Sequence, residues 1–98
     1  MTREEAFSKI SPILSKLARD AGAGEVVIGL DTSLIDDLGF ESLTFVDLTL
    51  SLEAALQLPE FPMQRWADQE LPLTGRRFMV ASLVDACTQV LNEGALRD

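Results

Sequence analysis

The chain has no histidine and a single cysteine, Cys87, among its 98 residues. Without imidazole there is no ordinary general base at neutral pH, no Ser-His-Asp or Cys-His nucleophile system, and little means of building a transition-metal site. Self-contained catalysis is disfavoured, and adjacent acids such as Asp36-Asp37 read as solvated charges rather than as an acid-base couple. One thiol cannot form an internal bridge, and the apolar neighbours Val84, Val90 and Leu91 mark Cys87 as a core residue. Basic side chains are scarce as well: 8 Lys and Arg face 16 Asp and Glu, a net charge of −8. That balance opposes nucleic acid and anionic lipid and leaves basic protein surfaces as natural partners. No apolar run reaches membrane length, and the acidic opening Met1-Thr2-Arg3-Glu4-Glu5 is neither secretory signal nor span. The expectation is a cytoplasmic protein with no membrane insertion.

What is present is enough for one core. With 47% apolar residues, residues 1–98 can bury a single interior without disulfide or metal, so one domain is expected. No repeat or low-complexity tract interrupts the sequence.

Thr2 followed three residues later by Glu5 has the form of a capping box and starts a first helix. Phe7, Ile10, Leu14 and Leu17 follow at helical spacing. Pro12 removes a backbone hydrogen bond and is expected to kink the helix or restart it after Ser11, and Gly22 and Gly24 end it. From Ala21 to Glu41 no period is sustained and turn-prone residues dominate, which predicts a long connecting loop. Within it Val26-Val27-Ile28 has no strand to pair with and is expected to tuck over the helices.

Ser42 to Gln57 holds neither glycine nor proline and predicts a second helix. At about 100° per residue, Phe45, Leu48, Leu52 and Leu56 form one apolar stripe. Leu43, Val46 and Leu50 form another on roughly the opposite face. One stripe can meet a core; the other is left over. Pro59, Pro62 and Leu71-Pro72 allow a short third helix over Met63 to Asp68, carrying Trp66. A fourth runs from about Arg76 to Asn92, with Gly94 as its stop. The fold class is therefore all-α, a small four-helix bundle with a long loop between helices one and two and a short third helix. Phe7, Leu14, Phe45, Leu48, Leu52, Leu83 and Cys87 are its expected core.

Asp37-Leu38-Gly39-Phe40-Glu41-Ser42-Leu43 resembles the attachment motif of acyl carrier proteins, in which an Asp-Leu-Gly-x-Asp-Ser-Leu run sets a modifiable serine at the start of the second helix. The order of helices and loop is similar to that family's over most of the chain, but only the motif is specific. The resemblance implies that Ser42 is joined to 4'-phosphopantetheine by a separate phosphopantetheinyl transferase. Acyl or aminoacyl groups would then ride on the arm as thioesters, serving enzymes of fatty-acid, lipid or secondary-metabolite biosynthesis. The chain itself would be no enzyme but a carrier, and long acyl chains would shelter among its core side chains. A hydroxyl at a helix start suits this chemistry, because free backbone donors and the helix dipole favour a phosphodiester there. A serine there is also an ordinary N-cap, so position alone does not separate the two uses.

The spare stripe fits the same reading. Leu43, Val46 and Leu50, edged by Glu41, Asp47 and Glu53, make an apolar strip with an acidic rim. It suits the basic docking surfaces of the transferase and of acyl-loading ligases or synthases, with the carrier acting as a monomer. Two other classes stay open: an unmodified acidic helical adaptor that binds a partner through the same helix, and a small enzyme using Asp36, Asp37 or Glu41.

Some residues depart from the family pattern. Glu41 stands where Asp is usual, Thr44 and Ala54 where further acids are common, and the segment 58–75 is longer and richer in proline. Leu71-Pro72-Leu73-Thr74-Gly75 also matches a cell-wall sorting signal. It lacks the export signal and the apolar tail that such a signal needs, and reads as a proline-led loop.

Overall fold

A computed structural model describes the backbone of residues 1–97 and the side chains through Glu93. It is all-helical: α1 (Arg3–Asp20), α2 (Ser42–Leu56), α3 (Met63–Glu70) and α4 (Val80–Arg97), joined by a long loop after α1 and shorter turns thereafter. α1 packs against both α2 and α4. Among the described residues no helix is long and apolar enough to cross a membrane, and no cluster of His, Cys, Asp and Glu could hold a metal.

α1 starts as its sequence requires. Thr2 is the N-cap and its Oγ1 accepts the Glu5 N–H at 3.2 Å; it also donates to the Glu5 carboxylate at 3.1 Å. The expected break at Pro12 does not occur, and α1 runs unbroken from Arg3 to Asp20. One lost hydrogen bond is outweighed by the anchoring of Ile10, Leu14 and Leu17 in the core on either side of the exposed proline.

The long loop is part of the interior. Leu34, Leu38 and Phe40 are buried with the helical residues, and Val26 and Ile28 pack on the core while Val27 points to solvent at 94% exposure. The loop also decides where α4 begins. Val80 N–H donates to Thr32 O at 2.8 Å and Ala81 N–H to Leu30 O at 2.9 Å, so loop carbonyls satisfy the first amides of α4. Just before it, Phe78 takes a left-handed backbone with φ 56°. The fourth helix therefore starts at Val80 rather than at Arg76, and it continues past the expected stop at Gly94.

The expected core holds in large part: Leu14, Leu48, Leu52, Leu83 and Cys87 are buried, whereas Phe7 and Phe45 are half-buried at its edge. Three aromatic residues outside the expected core join it: Trp66 from α3, and Phe61 and Phe78 from the connections on either side of that helix. Trp66 is held there by its indole N–H, which donates to Ser82 Oγ at 2.8 Å.

Candidate functional site

The approach to Ser42 is fixed by alternation of buried and exposed residues. Leu38 and Phe40 insert into the core, while Gly39 and Glu41 between and after them face solvent. Gly39 sits at φ 69°, a left-handed turn that a side chain would oppose. Phe40 N–H then returns to Leu34 O at 3.0 Å. With Phe40 anchored and Glu41 extended, the next residue emerges at the surface as the first of α2.

Ser42 is exposed there. The N-cap is Glu41, not Ser42, and no side chain caps this helix. Among the described residues the Ser42 hydroxyl has no hydrogen-bond partner. Its use as an ordinary cap, open in the sequence, is therefore not what this backbone employs it for. The first amides of α2 lie beyond reach of any intrahelical carbonyl, so this end offers N–H donors and a positive dipole end beside a free hydroxyl.

The motif acid Asp37 is engaged by the loop and by Arg76. Its carboxylate accepts the Ser33 N–H at 2.8 Å and pairs with the Arg76 guanidinium, which also donates to Asp31 O at 3.0 Å. Arg76, then the Ser33 amide, holds the Asp37 carboxyl below its usual value. The pair ties the loop to the lead-in of α4. Ser33 reinforces it: fully buried, its hydroxyl donates to Arg77 O at 2.7 Å and accepts the Asp36 N–H at 3.1 Å. Nothing in the local sequence marks Ser33 as different from other loop serines, because the carbonyl its hydroxyl donates to lies 44 residues away.

The second stripe of α2 is bare. Leu43, Val46 and Leu50 are 81%, 56% and 61% exposed, and Glu41 and Asp47 stand exposed among them. Glu53 is different: half-buried, it accepts the Phe61 N–H at 2.9 Å and so braces the turn into α3. From Ser42 an open cleft of about 510 Å³ runs between α2 and α3, walled by Val46, Leu50, Met63 and Ala67, with Phe45 and Phe78 below. Cys87 lies apart from all of this, in the core, where burial pushes its thiol up to about 12.

These features suit phosphopantetheine. A free exposed hydroxyl can be esterified, uncapped amides can receive the phosphate, and a largely apolar cleft begins at the same residue. A model of the family described as the phosphopantetheine attachment site matches residues 11–64. The acyl carrier protein of Thermotoga maritima is 42% identical over 53 residues, which is 54% of this chain and 62% of that protein. The match thus spans less than two thirds of that relative's length. No solved structure matches the chain. The family is one of carriers of a phosphopantetheine group rather than of enzymes. Its pattern runs from the middle of α1 through the loop and α2 to the start of α3, more than half of the sequence, and the chain belongs to this phosphopantetheine attachment family.

Proposed function

We propose that this chain is an acyl carrier protein whose residues 1–98 form one cytoplasmic carrier domain, with the arm borne on Ser42. The observation that carries the proposal is the exposed, unbonded hydroxyl of Ser42 at the first turn of an uncapped helix, held outward by the anchored Leu38 and Phe40. In the modifying step Ser42 Oγ forms a new ester bond to the pantetheine-side phosphate of coenzyme A, the phosphoanhydride breaks so that adenosine 3',5'-bisphosphate leaves, and the serine proton passes to a base. When bound, the arm supplies a terminal thiol on which acyl or aminoacyl groups travel as thioesters.

The chain's own residues orient and advertise that hydroxyl. Leu43, Val46 and Leu50 offer a partner an apolar seat, and Glu41 and Asp47 offer charge for basic groups around it. Glu53 contributes less to that rim than its sequence position suggests, since its carboxylate is engaged with Phe61. Partners of this kind are the phosphopantetheinyl transferase and acyl-loading ligases or synthases of fatty-acid, lipid or secondary-metabolite synthesis, met by a monomeric carrier.

Intact mass after incubation with coenzyme A and a broad phosphopantetheinyl transferase tests the proposal. One arm should be gained by the unaltered chain and none by Ser42→Ala. A chain that stays bare while a known carrier in the same tube is modified would leave the adaptor reading instead.

A further inference from the structure

The cleft beside Ser42 has a floor, and the floor is fastened from three sides. Phe78 belongs to neither helix that walls the cleft; it comes from the connection before α4. Its φ of 56° is a backbone conformation that bulky L residues seldom adopt, so the surroundings must hold it. Its N–H donates to Glu70 Oε1 at 2.9 Å, and its carbonyl accepts the Leu34 N–H at 2.9 Å. The ring lies 5.6 Å from that of Phe45 and 5.3 Å from that of Trp66, centroid to centroid.

Glu70 is the element that the attachment chemistry does not use. It is a carboxylate only 7% exposed, at the end of α3, and the hydrogen bond it accepts comes from Phe78. Withdrawing a carboxylate from water is costly, and it persists where it has a polar partner to hold. Here it holds the backbone of a buried aromatic residue that lines the cleft. Phe78 belongs to the same core cluster as the fully buried Leu48, Leu83, Val84 and Cys87. Of the residues that line the cleft Phe78 is the one that is itself buried, and moving it would break its bonds to Glu70 and Leu34.

We infer that Phe78 is a specificity-determining residue for the cargo and Glu70 its positioning residue. An acyl chain lies in the α2–α3 cleft above Phe45 and Phe78 and does not enter the space between α1, α2 and α4. The cargo class that the carrier shields is then short or medium acyl groups, while longer chains run on into solvent or into a partner. This rests on Ser42 as the anchor, and it departs from the expectation that long chains shelter in the helical core.

The test loads acetyl, octanoyl and hexadecanoyl groups onto the full chain from the corresponding acyl-coenzyme A, with mass confirming each product. The melting midpoint should rise from acetyl to octanoyl and then stay within about 1 °C to hexadecanoyl, because further methylenes find no interior to fill. Emission of Trp66, the sole tryptophan, should not change along the series. In Phe78→Ala the hexadecanoyl form should melt above the octanoyl form, and Glu70→Ala should move the same way if Phe78→Ala does not fold. A midpoint that keeps climbing in the unaltered chain, with a shift in Trp66 emission, overturns the inference and leaves the carrier reading intact. Absence of any mass gain overturns both.

Discussion

Two serines nine positions apart should respond to the same substitution in opposite ways. Ser33→Ala removes a hydroxyl that is fully buried and doubly used, donating to Arg77 O and accepting the Asp36 N–H. Leaving a carbonyl and an amide without partners costs about 1–3 kcal/mol each when both are sealed from water. Arg77 is half-buried and Asp36 exposed, so water recovers part of that loss and about 2 kcal/mol in total is expected. In a domain of this size that is a fall in melting midpoint of roughly 8–16 °C. Ser42→Ala breaks no hydrogen bond and should leave stability within about 0.5 kcal/mol. Urea unfolding followed by Trp66 emission measures both variants against the unaltered chain. Below its own midpoint Ser33→Ala should still accept an arm, which mass would register. If Ser33→Ala unfolds at the parent's urea concentration, or if Ser42→Ala is the more damaging of the two, the division into a structural and a chemical serine is wrong.

Asp37→Asn should weaken the protein at pH 7 by loosening the contact with Arg76. Because the folded carboxyl sits below its usual value of 3.8, that contribution is complete above 3.8 and disappears as pH falls through the lower folded value. The stability gap between variant and parent, followed by urea titration at several pH values, should therefore close in acid and stay constant above about pH 5. Leu48→Ala, at a fully buried position, should cost about 3 kcal/mol in the same urea assay. Two residues on, Leu50→Ala should change stability by less than about 0.5 kcal/mol. It should nevertheless slow modification by the transferase at limiting carrier concentration by about fivefold or more, as loss of a central apolar contact requires.

Much of α2 could be read in advance because it is locally consistent. It has no breaker, its two apolar stripes diverge in angle, and Gly39 and Pro59 bracket it, so both the buried Leu48, Leu52 and Leu56 and the bare Leu43, Val46 and Leu50 follow from spacing. The proposal for Ser42 rests on something else, a motif whose residues are adjacent. The misreadings share a cause. Pro12 argues locally for a break, yet the helix is held by side chains that meet α2 and α4. Met79 continues the apolar period of α4 and no proline or glycine separates it from Arg76, yet the bridge between Ser33 and Met79 and the amides paired to Thr32 and Leu30 delay the start of the helix. Leu34, Leu38 and Phe40 have no period because each is placed by a turn. Glu53 and Glu70 look like surface acids until the amides of Phe61 and Phe78, each eight residues on, are brought to them.

The sequestered Cys87 has a consequence for chemistry elsewhere on the molecule. A thioester carried on an arm is vulnerable to exchange with any nearby sulfur nucleophile, and the one sulfhydryl that this polypeptide encodes is enclosed by its core and kept protonated. Cargo cannot migrate onto Cys87 while the fold is intact. For the same reason a thiol-directed label applied to the native holo form would report the arm alone, and one applied after unfolding would count two sites.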